Sequence, residues 1–222
     1  MAHYKVEDTS LTTVADAIRE RAGTTEGLAF PDGMASAVRG IPDLAELLIT
    51  NKLYEYRSNV SIKLRDSCFA NCNVLEKVYL PLCPEVGGYS FQNCRVLTVA
   101  ELPSVKKLNN YAFTGCRMLE KLDCSATNIS SKAFNECSVF KTLVLRTNSM
   151  CALGNINAFD GTPFANGTGY IYIFRKFLSD TDASSDYRRA TNWSTFSAQQ
   201  FRALEDYTVD GTTTGALDES KI

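Results

Sequence analysis

Cys68-Phe69-Ala70-Asn71-Cys72-Asn73-Val74-Leu75, followed by Val78-Tyr79-Leu80-Pro81, is the stretch that decides the fold. Its template returns down the chain: Phe69 with Cys72 is matched by Phe91 with Cys94, Phe113 with Cys116 and Phe134 with Cys137, at intervals of 22, 22 and 21 residues. Five residues before each Phe stand Leu64, Val86, Leu108 and Ile129, and directly before it the small residues Cys68, Ser90, Ala112 and Ala133. Six residues after it come Leu75, Leu97, Leu119 and Phe140. Val78 with Leu80, Ala100 with Leu102, Leu122 with Cys124 and Leu143 with Leu145 then alternate as a strand does. A repeat of this length means stacked coils, none of which can bury its apolar edge until the next is laid on it.

Each coil is expected to hold one short strand and one tight or helical turn, giving an α/β solenoid of about five coils. With strands about 4.8 Å apart, such a body is roughly 25 Å long. The small residue before each Phe lets the turn approach its neighbour, and cysteine is a compact, weakly polar filler for a narrow interior. Pro81 and Pro103 close two strands, where a missing amide donor costs least.

Outward from the repeat, the amino-terminal residues 1–50 read as a small helical head. Leu11, Val14, Ala15 and Ile18 share one face behind a Ser10 cap, a second helix runs from Asp32 to Arg39, and a third is expected from Asp43 to Ile49. Leu53 to Tyr56 and Val60 to Leu64 are expected strands, opening a solenoid that spans 51–175. Past Cys137 the template loosens: Phe159 follows after 25 residues without its Cys, a glycine-rich loop replaces the turn, and the strand survives as Tyr170 to Phe174. Residues 176–207 form the expected carboxy-terminal cap, with Asp180, Asp182 and Asp186 before a short helix and Trp193 and Phe196 placed over the open end. Residues 208–222 read as a polar tail, mobile or ordered by a partner.

Composition narrows the partners. Among 222 residues, 23 are basic and 25 acidic, so no basic footprint for nucleic acid exists, and no membrane contact is expected. Met1 to Thr9 lack the pattern of a secretory signal, which predicts synthesis in the cytosol. In that setting the eight cysteines are expected as structural thiols rather than a disulfide framework or a metal site.

Chemistry is sparse. His3 is the single histidine, which argues against a histidine base or a histidine-ligated metal. The Asp180, Asp182, Asp186 cluster lacks the glycine and terminal glutamate of a calcium loop, and helix capping explains it. No phosphate-cradling loop or nucleophile elbow is present. No catalytic residue, cofactor or metal is therefore expected, and the chain reads as non-enzymatic. What a solenoid offers is a surface: Lys77, Tyr79, Val99, Glu101, Lys121, Asp123, Thr142 and Val144 alternate outward on the coil strands and form the candidate binding strip, with Tyr79 as its anchor.

The block from Cys68 to Leu75 with Val78 to Pro81 resembles the BspA-type leucine-rich repeats of bacterial surface proteins, over roughly residues 60–175. Departures are Cys68 and Ser90 for the usual Ala, Ser125 and Arg146 for the closing Pro, and the missing Cys of the fifth coil. The resemblance implies a short leucine-rich repeat stack. Ser10 to Glu20, Gly23 to Glu26 and Phe30 to Gly33 are similar to amino-terminal segments of phage and prophage tail or other virion-associated proteins, and Tyr187 to Ser194 with Asp210 to Gly215 resembles the ends of repeat proteins from that setting. These flanks imply a phage structural or recognition protein, virion- or tail-associated, that binds a protein or host-surface ligand and associates with itself or with other virion proteins. The alternative is a free intracellular module that binds a host protein.

Overall fold

The computed structural model describes residues 54–179 and 182–222. The expected head at 1–50 lies outside them. Eleven short strands follow one another: β1 (Glu55–Arg57), β2 (Lys77–Tyr79), β3 (Glu85–Val86), β4 (Val99–Glu101), β5 (Lys107–Leu108), β6 (Lys121–Cys124), β7 (Asn128–Ile129), β8 (Thr142–Leu145), β9 (Ala152–Leu153), β10 (Tyr170–Ile173) and β11 (Phe201–Ala203). All pairing between them is parallel, as coils of one hand require.

One face carries β1-β2-β4 and β6-β8-β10-β11, joined through a bridge between Leu102 and Cys124. A second face carries β3-β5-β7-β9. The solenoid is thus two-stranded per coil, where the sequence suggested one strand. The second ladder consists of two-residue strands in which Val86, Leu108, Ile129 and Leu153 point inward. Val60 to Leu64, expected as a strand, makes only a single bridge, from Leu64 to Val86.

The third side is the turn that contains each Phe. Its amides bond across coils: Phe69 N to Ser90 O at 2.8 Å, Phe91 N to Ala112 O at 2.8 Å and Phe113 N to Ala133 O at 2.7 Å. The small residue before Phe is therefore the carbonyl on which the preceding coil rests. Left-handed backbone flanks each Phe, at Ser67 and Asn71, Tyr89 and Asn93, Tyr111 and Gly115, Lys132 and Glu136. Such residues interrupt any right-handed helix. Among the described residues, helical structure is accordingly limited to three-ten turns of three or four residues, the longest being Ile156–Phe159 and Leu204–Tyr207. At Gly87 a Cβ would lie 2.6 Å from the backbone of Leu64 and Arg65, so glycine lets two coils touch there.

Inside, the phenylalanines stack. Ring centroids of Phe69, Phe91, Phe113 and Phe134 are 5.3, 4.9 and 5.6 Å apart in succession, with planes within 15° of parallel. Burying each ring contributes about 1.5–3 kcal/mol. The thiols form a second interior file: Cys94 donates to Phe69 O at 3.1 Å, Cys116 to Phe91 O at 3.1 Å and Cys137 to Phe113 O at 3.0 Å. Every one of these carbonyls also accepts the amide of the cysteine in its own coil. The core repeat is thus hydrogen-bonded as well as packed.

Candidate functional site

Strand parity aims two columns of side chains outward from the first face. Lys77 and Tyr79 pair with Val99 and Glu101, and Lys121 and Asp123 pair with Thr142 and Val144. The expected strip is therefore assembled in one row. Its two ends differ in what covers them.

At the β1-β2-β4 end the carboxy-terminal segment leaves the row uncovered. Lys77, Tyr79 and Val99 are half-buried and Glu101 is exposed. Arg57 lies flat on Tyr79, its guanidinium carbon 3.5 Å from the ring centroid, and its Nε donates to Glu55. A guanidinium spread on a ring fixes that ring in place. Leu82, beyond the strand, is exposed as well.

At the β6-β8-β10 end the row is closed, and here the expectation of outward exposure fails. Thr142 is 3% exposed and Val144 0%. The cover is the carboxy-terminal segment, which the sequence suggested was mobile or partner-ordered. It turns back across this face: Tyr207 meets Tyr172 edge-on at 5.0 Å, Arg146 Nη1 donates to Thr213 O at 2.6 Å, and Lys121 pairs with Glu219. Arg146 also grips Asp123 through two nitrogens, Nε to Oδ1 at 2.8 Å and Nη2 to Oδ2 at 2.9 Å. An antiparallel bridge from Thr208 to Leu217 folds the segment on itself. Burial pushes the Tyr172 phenol up to about 12. Of the eight strip residues, Lys121 and Asp123 are thus engaged internally and Thr142 and Val144 are buried, while among the described residues Lys77, Tyr79 and Val99 are half-buried and Glu101 is exposed.

On the second face Glu85 collects Asn109 Nδ2 at 2.7 Å, Lys63 at 2.9 Å and Lys107 at 3.5 Å. The Asn109 hydrogen bond first, then that of Lys63, hold its carboxyl below the usual range. This cluster ties three coils together.

Asp182 and Asp186 act as caps: Asp182 accepts from Ser184 N at 2.9 Å and Asp186 from Arg188 N at 2.9 Å. Among the described residues no group of three His, Cys, Asp or Glu side chains is placed to hold a metal ion. No helix among them is long and apolar enough to cross a membrane. Cys124 and Cys72 are poor nucleophiles as they stand, since burial pushes their thiols up to about 12 and about 11.

A parallel two-faced coil stack with a mixed-charge strand row defines a repeat scaffold of the binding kind. Residues 59–166 match the family model for the BspA type leucine rich repeat region, in six copies, and that stretch is similar to such repeats. Repeats of this family are typically non-enzymatic binding scaffolds. No curated protein matches the chain, and no solved structure does.

Proposed function

We propose that the chain is a non-enzymatic recognition protein of phage or prophage origin, carried on the virion or its tail. It binds a protein or host-surface ligand through the β1-β2-β4 half of the strand row. The observation that carries the binding role is the arrangement around Tyr79: a ring fixed by Arg57, flanked by Lys77, Val99 and Glu101, at the end of the face that the chain's own carboxy terminus leaves uncovered. Aromatic and arginine anchors beside mixed charge are what protein-binding hot spots use. The phage setting draws its support from the sequence of the flanks, and residues 1–50 take the role of docking segment.

The test is mass spectrometry of particles induced from the strain that encodes the chain, with adsorption measured for particles bearing Tyr79→Ala. Peptides of the chain in purified particles, with adsorption lowered by the substitution, are expected. Chain found only in the soluble cell fraction would favour a free module that binds a host protein. Light scattering on the full chain and on one lacking residues 1–50 tests the docking role: association should vanish with the head.

A further inference from the structure

On the turn side of the coils, the residues two places before each Phe form a file on the surface: Ser67, Tyr89, Tyr111 and Lys132. All four have left-handed backbone, with φ of 60°, 58°, 60° and 55°. Inter-coil bonds from Ser67 N to Gly88 O at 2.8 Å, Tyr89 N to Asn110 O at 3.0 Å and Tyr111 N to Ser131 O at 3.1 Å keep them in register. The Tyr89 and Tyr111 rings stack at 4.7 Å, 8° from parallel. The far face of Tyr111 is taken by Lys132, whose Nζ lies 5.6 Å from the ring centroid.

The near face of Tyr89 has no such cover. Ser67 stands where the next ring would be, and among the described residues no ring or cation stacks there; Tyr89 is 39% exposed. Beside this gap, Asp66 is fixed by its Oδ1, which accepts from Gly88 N at 2.7 Å. Asp66 is exposed and makes no ion pair among the described residues.

We infer that the open face of Tyr89, above Ser67 and beside Asp66, binds an arginine side chain of a partner protein. The gap is one rung deep, bounded by a flat ring and a short side chain, so it accepts a planar group. The neighbouring carboxylate selects a cation, and a guanidinium is both planar and always charged. The same chain uses this pairing twice, with Arg57 over Tyr79 at 3.5 Å and Arg202 over Tyr170 at 4.7 Å. An aromatic side chain would fill the rung but leave the carboxylate unanswered. The site deepens the protein-recognition reading by naming a side chain of the partner. It lies off the strand row, so its failure leaves that reading standing.

The experiment is an NMR titration of the full chain with the peptide acetyl-Gly-Arg-Gly-amide and with its citrulline counterpart, the neutral isostere. The Tyr89 ring resonances are identified by comparison with Tyr89→Phe. Saturable shifts of the Tyr89 ring by the arginine peptide are expected in the millimolar range. Citrulline or Asp66→Asn should weaken them about fivefold, within the reach of one cation–ring contact. Ser67→Tyr fills the rung with a residue that Tyr89 and Tyr111 already show to be tolerated in this backbone, and it should abolish binding while the chain stays folded. No saturable movement of the Tyr89 ring, or equal binding by the Ser67→Tyr chain, overturns the assignment.

Discussion

Between Phe69 and Phe134 the interior rings lie nearly parallel, whereas around Trp193 and Phe196 they tilt and meet edge to face. Phe159 meets Phe196 at 88°, and Trp193 meets Tyr187 at 76° and Phe201 at 68°. A parallel stack has no natural end, because each ring offers upward the same flat face that it covers below. A tilted cluster presents edges as well as faces and leaves no matching surface for another coil. Polar contacts follow the same division. In the regular coils, thiols and amides bond to carbonyls one coil away; at the closing end, side chains grip backbone, with Cys151 N donating to Tyr187 Oη at 2.6 Å and Trp193 Nε1 donating to Cys151 O at 2.7 Å. One region is built to propagate and the other to stop.

Cys116→Arg strikes the propagating region hardest. The side chain is fully buried between neighbouring coils, and an unpaired guanidinium there should cost more than about 4 kcal/mol, which loses the cooperative thermal transition in circular dichroism. A transition that survives near the parent temperature would sink the interior placement of the thiol file.

Trp193→Ala strikes the other region. Removal of this ring and of its hydrogen bond to Cys151 O should cost about 3–5 kcal/mol. Hydrogen exchange should show β8 and β10 losing protection before β2, since repeat stacks couple mainly to their neighbours. Uniform loss across all strands would show that the two regions melt as one.

Opposite pH responses sharpen the contrast. Cys124 is pushed by burial from 9.0 up to about 12, so its folded-state value lies above its unfolded one. Its contribution is present below about pH 9 and fades as pH climbs towards 12. Cys94 and Cys116 are raised by burial in the same sense. Asp186 behaves in reverse. The Arg188 hydrogen bond holds its carboxyl below the ordinary 3.8, so its contribution is present at neutral pH and is lost as pH falls through that lowered value. Alkaline weakening should therefore be felt around Cys124 and acid weakening around Asp186, as read by hydrogen exchange at pH 10 and pH 3. Cys124→Ala should flatten the first response and Asp186→Asn the second.

Deletion of residues 208–222 should have a smaller effect, about 1–2 kcal/mol, because its ties to the strand face are chiefly the exposed Lys121–Glu219 pair and the half-buried Arg146 contact. The shortened chain should stay folded and bind a hydrophobic dye at the uncovered Val144. Lys121→Ala should shift stability by no more than about 0.5 kcal/mol.

The stack was legible because one residue type recurs at each interior position: Phe69 and Cys72 announce their rung as plainly as Phe113 and Cys116 do. The second strand ladder was not, since a two-residue strand such as Lys107–Leu108 buries a single side chain and shows no alternation. The left-handed turns hid behind Tyr89, Tyr111 and Lys132, where a glycine would have signalled them. The strip was misjudged at Thr142 and Val144 for a different reason. Strand parity says which way a side chain points, but not whether the chain returns to cover it. Asp210-Gly211-Thr212 looked like solvent-exposed tail, yet Asp210 accepts from Thr212 N at 2.9 Å and starts the turn that folds the segment back.

The doubly accepting carbonyl of each Phe bears on how such a gene can change length. Phe91 O takes the amide of Cys94 from its own coil and the thiol of Cys116 from the next. Excision or duplication of one whole unit of 22 residues hands every donor an equivalent acceptor, and the seam leaves nothing unpaired. Loss of a single residue inside a coil swings the thiol away from its carbonyl and turns an inward strand position outward. Recombination between units is thereby tolerated and slippage within a unit is penalised, so descendants of this sequence should differ by entire coils far more readily than by fractions of one.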